Sequence, residues 1–307
     1  MSRYKNTLSH EQVIGLDIND GQITAAWFHS GQLKRLASRD YSPEADDRQI
    51  ARVVREMWHR ERMPTRTVQT CLHSQNLLIR YFKYENISRE ELPNVLALEA
   101  EEALQCPIHQ ISLDWQLNLN QPVAPKNVTQ KLSGTLVAAP KQKVQQHLKL
   151  IKAAGLYTVN VHVSYSALIN LYTWLMQEQD AEPVCLINIT LNTADIIMHS
   201  GRSNYPRTLF SAGTEWKQNT PYLLENIQNA LLYYHLKLKH PPIKQILLTG
   251  QLSGLNDFLT SLSDQTSLPV KELDVLSMLP IDKAFSCKKQ LSNQTTAISL
   301  GLRKEYS

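Results

Sequence analysis

VIGLDINDGQITAAWF, Val13–Phe28, is the stretch on which the fold reading turns. An apolar run broken by Asp17 meets the triplet Asn19-Asp20-Gly21, and a second apolar run follows at once. Asn, Asp and Gly favour tight reversals, so the stretch predicts a β-hairpin with a carboxylate just before its turn. The second half of the chain repeats this grammar. PVCLINITLNTADIIMHSG, Pro183–Gly201, gives two apolar strand runs around a short polar turn at Thr190–Thr193.

Working outward from the first hairpin, a charged helix is predicted near Asp47–Glu61 and a strand at Thr67–Leu72. The segment from Leu77 to Leu119 reads as strand, helix, strand. Asn86–Arg89 can start its helix, and Leu92, Val95, Leu96, Ala100, Ala103 and Leu104 recur at three and four residues, leaving Glu99, Glu101 and Glu102 mostly on other faces. Pro107 ends it. QPVAPKNVTQ reads as a loop, KLSGTLVAA as a strand, and KQKVQQHLKLIKAAG as an amphipathic helix stopped at Gly155. In the second half, TPYLLENIQNALLYYHLKLK has a 3.6-residue period through Leu223, Ile227, Ala230, Leu231 and Tyr234. IKQILLTGQLSGLNDFLTSLSD then gives a buried strand, a glycine turn at Gly250–Gly254 and a helix, and TTAISLGLRKE a last short helix.

A chain of 307 residues exceeds the usual single core and favours two packed lobes. With 42% apolar and 20% charged residues, global disorder is excluded. The net charge of +4 is scattered without a phosphate-tracking cluster, so no nucleic acid is expected as partner. Cys71, Cys106, Cys185 and Cys287 lack C-x-x-C spacing, and the ten histidines lack ligand spacing, so no metal is expected. The uncharged run Ala153–Gln177 is long enough to cross a bilayer, but Thr158, Asn160, His162 and Ser164 alternate with Val159, Val161 and Val163, which is strand periodicity and costly in lipid. His162 reads as a satisfied strand residue. MSRYKNTLSHEQ carries charge with no apolar core, so no secretory leader is expected.

These pieces, in this order, resemble the PilM family of type IV pilus assembly proteins, grouped with FtsA in the actin-like superfamily. The resemblance runs from IGLDINDGQITAAWF through LALEAEEALQCPIHQISLDWQL, LVAAPKQKV and IKAAGLYTVNVHVSYSAL to NIQNALLYYH, ILLTGQLSGL and AISLGLR. It implies an α/β, actin-like two-lobed fold with an inserted α/β subdomain. The first lobe would span residues 11–180 with the insert at about 77–156, a reduced second lobe 181–290, and a helix in 291–307 would return to the first lobe.

In that superfamily the first hairpin turn faces nucleotide phosphates with its amides, and its Asp orders a metal. The resemblance places Asp17 at the acidic position and Asn19 at the glycine position, where Asn can adopt a left-handed backbone; Gly21 follows Asp20, whose charge repels phosphate. At the second hairpin Asn188-Ile189-Thr190 replaces Asp-x-Gly, losing an acid and adding a β-branched side chain; Thr193 still offers a hydroxyl. The adenosine-side glycine turn is reduced to Gly250, followed by Gln251 and Leu252. After Arg207 and Gly213, TEWKQNTP leads directly into the next helix, so the nucleoside-lining subdomain is expected to be truncated. Ten glycines in 307 residues lie below the roughly 7% average. Asp17, Asn188, Thr190 and Gly250 also have plain turn-forming roles.

Two classes of function remain. In one, the chain is an actin-like adaptor in a type IV pilus, competence or secretion platform. It would be cytoplasmic and peripheral to the inner membrane, binding a PilN-like tail and other platform or motor components, with no nucleotide cofactor expected, no direct membrane insertion, and homo-oligomers open. In the other, it is a working ATPase or phosphotransferase of the superfamily. FtsA-like membrane anchoring is not expected after GLRKEYS. The resemblance implies a groove in the insert for an apolar peptide bearing a basic residue; Glu99, Glu101 and Glu102 are either its acidic lining or a solvated helix face.

Overall fold

A computed structural model describes residues 13–19, 21–73, 77–118, 128–176, 182–201, 203–210, 219–250, 256–282 and 294–302. Asp20, Gly213, Gln251, Leu252, Gly254 and Cys287 lie outside them, as does most of the QPVAPKNVTQ loop. In chain order the strands and helices are β1 (Ile14–Asn19), β2 (Gln22–His29), β3 (Gln32–Asp40), α1 (Asp47–Arg60), β4 (Thr67–Leu72), β5 (Leu78–Ile87), α2 (Leu92–Leu104), β6 (Ile111–Leu117), β7 (Gln130–Pro140), α3 (Lys141–Ala153), β8 (Tyr157–Val163) and α4 (Ser164–Met176). They continue with β9 (Val184–Ile189), β10 (Thr193–Ser200), β11 (Ser203–Phe210), α5 (Thr220–Leu232), a π turn at Tyr233–Lys237, β12 (Gln245–Gly250), α6 (Asn256–Thr266), β13 (Val270–Glu272), α7 (Val275–Met278) and α8 (Thr295–Gly301). The chain divides into two compact units: Met1–Cys71, Leu148–His162 and Val275–Ser307 in one, Leu72–His147 and Val163–Asp274 in the other.

The first unit is built on the sheet β3-β2-β1-β4-β8. β1 and β2 pair antiparallel from Ile14↔Trp27 to Asn19↔Gln22, and β4 runs parallel to β1. Alternation puts Ile14, Leu16 and Ile23 in one core with Ile50, Val54 and Met57 of α1 and with Leu150 and Ile151 of α3. α1 starts cleanly because Asp46 and Gln49 form a reciprocal capping box, each side chain 2.8 Å from the other residue's amide. α8 lies against β1 so closely that a Cβ on Gly15 would stand 2.2 Å from the Ala297 carbonyl oxygen.

The second unit contains two sheets. In the smaller, order β5-β7-β6 and antiparallel throughout, Phe82, Leu132 and Leu136 pack against Leu92 and Leu96 of α2. Asn86, φ 57°, lies near the end of β5, and Ser88 and Glu91 bond reciprocally in the turn before α2 (Ser88 N to Glu91 Oε2 2.9 Å, Glu91 N to Ser88 Oγ 3.2 Å). The chain leaves α2 at Gln105, in a left-handed conformation, two residues ahead of Pro107. In the larger sheet the order is β11-β10-β9-β12-β13, with β9, β10 and β11 antiparallel and β12 and β13 parallel to their neighbours. Cys185, Ile187 and Ile189 face α5 and α6, while Val184 and Leu186 face Tyr165, Leu168 and Tyr172 of α4. Ile79 and Val137 of the small sheet join that second cluster.

Both five-stranded sheets therefore follow one plan, an antiparallel triplet continued on its first strand by a parallel strand, as the two-hairpin reading implied. Three elements differ from the sequence reading. Each hairpin is extended by a third strand, β3 and β11, which period alone did not expose. The long helix expected over TPYLLENIQNALLYYHLKLK is α-helical only to Leu232 and then widens into the π turn, where Tyr234 is 1% exposed and its ring stacks on His240 at 4.7 Å.

Candidate functional site

The residues singled out for a nucleotide site fall into two groups. In the first unit, Asp17 and Asn19 sit at the C-terminal end of β1, both buried. Their burial follows from β1 being the central strand of its sheet. The Cys71 thiol of β4 lies 3.7 Å from Asp17 Oδ1, so this carboxylate has a weak donor on the neighbouring strand. Asn19 is extended and paired with Gln22, and the left-handed residue of the turn is Gly21, φ 77°. The expected transfer of the glycine's conformational role to Asn19 does not occur; Gly21 supplies it one pair further on.

In the second unit, Asn188, Thr190, Thr193 and Gly250 come together at the ends of β9, β10 and β12. Gly250 is in register with Ile189, and Thr249 with Asn188. Gly250 has φ 98°, and a Cβ there would meet the Ile189 carbonyl oxygen at 2.1 Å and Asn188 Oδ1 at 2.8 Å. The turn itself is closed by its two threonines. The Thr190 amide donates to the Thr193 carbonyl (2.8 Å), the Thr193 amide donates to Thr190 Oγ1 (3.1 Å), and the two hydroxyls lie 3.0 Å apart. Both amides and both hydroxyls already have partners within the turn. A phosphate could take these donors only by breaking that closure.

The sequence reading missed a buried carboxylate beside these residues. Asp195 of β10, opposite Asn188 in register, is 2% exposed and accepts hydrogen bonds from Ser164 Oγ (2.9 Å) and Thr208 Oγ1 (2.8 Å). It ties the first residue of α4 and the third strand β11 to the middle of the sheet. An acid among Thr193, Ala194, Ile196 and Ile197 is the one signal that could have drawn attention to it. Burial pushes the Cys185 thiol of β9 far up, which favours its protonated form. His162 Nε2 donates to Gln69 Oε1, 3.1 Å away, which gives it the satisfied strand role expected of it.

The acidic positions of α2 have three different environments. Glu99 faces the small sheet, bonded to Arg80 Nη1 at 3.0 Å and to the Tyr84 hydroxyl, whose pKa burial and this carboxylate push up. Glu101 accepts the Ile108 amide at 3.3 Å. Glu102 is exposed, one helical turn after Leu98, which is 66% exposed. Leu98 and Glu102 share the outward face, so an apolar and an acidic group are presented together. Hydrophobic periodicity could not single out Leu98, because it lies off the core stripe.

A family model described as type IV pilus assembly protein PilM matches residues 32–220. No curated protein is significantly similar in sequence. Among solved structures, one described as a PilM-PilN type IV pilus biogenesis complex superposes with a TM-score of 0.79 at 18% identity, covering 94% of this chain and 97% of that one. A Bacteroides thetaiotaomicron protein of actin-like ATPase fold and unknown function gives 0.55 at 10% identity, covering 90% and 98%. The cytoplasmic domain of EpsL, an inner-membrane component of the Vibrio cholerae type II secretion system, gives 0.50 at 9% identity, covering 94% and 92%. These likenesses establish an actin-like fold, in agreement with the duplicated sheet plan. With the family match extending over more than half of its length, the chain belongs to the PilM family of type IV pilus assembly proteins.

Proposed function

We propose that this chain is an actin-like adaptor in the inner-membrane platform of a type IV pilus, or of a related competence or secretion machine, and that it works without ATP turnover. It docks the cytoplasmic tail of a PilN-like membrane protein and is held at the inner membrane through it. The observation that carries the second half of this reading is the closed Thr190–Thr193 turn, whose amides donate within the hairpin. The first half is supported by family membership and by the likeness to a structure that is described as a PilM-PilN complex. The outward face of α2 has the chemistry for such a tail: Leu98 offers apolar contact, and Glu102, with Glu101 beside it, favours a basic residue. Glu99 is committed to Arg80 and Tyr84 and belongs to the packing of the subdomain.

The test has two arms. Calorimetric titration with the N-terminal peptide of the PilN-like protein should give micromolar binding that weakens with salt, and Glu101→Lys with Glu102→Lys should slow association without unfolding the chain. Absence of binding removes the adaptor reading. In the other arm, millimolar Mg-ATP should leave the melting temperature unchanged. A ligand with micromolar affinity would add about 4 kcal/mol at that concentration, so a rise of several degrees restores the ATPase reading.

A further inference from the structure

From the end of α5 and the π turn after it, we infer a second surface, independent of the peptide-docking reading, that adsorbs to an anionic lipid headgroup layer. Leu232, Tyr233 and Leu236 are exposed there, Leu236 at 62%. The α-helix would carry Leu232 and Leu236 on one face, and the π turn keeps that face outward while Tyr234 goes inward. The turn is held firmly. Tyr234 stacks on His240, His235 Nδ1 pairs with the His240 carbonyl at 2.9 Å, and Tyr205 packs on Tyr233 and Tyr234 with ring centroids 6.1 and 6.0 Å away. The exposed leucines are thus presented by a fixed scaffold.

The chain that carries them is basic from the end of α5 onward. No Asp or Glu occurs between Glu225 and Asp257, while Lys237, Lys239 and Lys244 do. Lys83, on the strand β5 of the same unit, lies close enough to His240 to help lower its pKa. Among the described residues none of these four lysines is in an ion pair. Exposed leucines and a tyrosine, followed at once in the chain by the unpaired Lys237 and Lys239, match a surface that is negative outside and apolar just beneath, which is an anionic phospholipid layer. A nucleic acid would gain nothing from Leu232 and Leu236. The contact reaches headgroup depth only, and no helix among the described residues is long and apolar enough to cross a membrane.

Co-sedimentation of the full chain with phosphatidylcholine vesicles, with and without phosphatidylglycerol, tests the inference. Binding should require phosphatidylglycerol and fall with salt. Each lysine is expected to contribute about fivefold, so Lys237→Gln with Lys239→Gln should weaken partitioning by about 25-fold. Leu236→Asp, at an exposed site that leaves the lysines in place, should weaken it about tenfold or more. The inference is overturned by equal partitioning to both vesicle types, by lysine variants that bind as well as the parent, or by lysine-dependent binding to a duplex DNA oligonucleotide with none to vesicles. Peptide titration on the same variants should be unchanged, which keeps this surface distinguishable from that of α2.

Discussion

A methyl group on Gly250 would stand 2.1 Å from the Ile189 carbonyl oxygen and 2.8 Å from Asn188 Oδ1, on a backbone with φ of 98°. Gly250→Ala therefore combines two costs. The left-handed backbone alone costs an L-residue about 1–2 kcal/mol. Forcing β9 and β12 apart to admit a Cβ adds about 1–3 kcal/mol, the range for overpacked sites, giving about 2–5 kcal/mol in total. Gly31→Ala separates the two, because Gly31 has φ 74° but open space around its Cβ. Native-state hydrogen exchange is the assay, since two compact units need not unfold together. In Gly250→Ala the amides of β9 and β12 should lose the full amount while those of β1 keep theirs, and Gly31→Ala should cost only the first part. If Gly250→Ala lies within about 0.5 kcal/mol of Gly31→Ala, the close approach of the two strands is not what requires glycine, and the reasoning fails.

Thr190→Ala removes the hydroxyl that receives the Thr193 amide, at a buried turn, and should destabilise the second unit by about 1–3 kcal/mol in the same exchange experiment. The acid side of the stability profile is expected to depend on His162 and His240, whose pKa values are lowered by burial, the second also by Lys83. With the folded values below the ordinary 6.5, the unfolded chain binds protons first; this stability is complete above pH 6.5 and is lost as pH falls through the lower folded values. Urea midpoints measured from pH 7.5 downward should decline less steeply in His162→Gln and His240→Gln, and an unchanged slope in both would contradict the assignment.

The sequence by itself determined the elements whose burial is periodic. β1, β2, β9, β10 and β12 are central strands, buried on both faces or nearly so, and their apolar runs register in the sequence whatever surrounds them. α1 was legible for the complementary reason, its core stripe and its Asp46 cap being local. The third strands were not. β3 carries Lys34, Arg35 and Arg39 because it is an edge, and its extended backbone is fixed by pairing with β2, which no local pattern encodes. The α-to-π change at Tyr233 likewise depends on a ring stack with His240, across a reversal of the chain. At the candidate site, the family resemblance implied that Asn188 and Thr190 stand where an acid and a glycine are usual. Only the tertiary structure decided where their donors go, because the closure of Thr190 on Thr193 depends on the hairpin's register. The burial of Asp195 between Ser164 and Thr208 joins three elements that meet only when the sheet is assembled and α4 is laid across it.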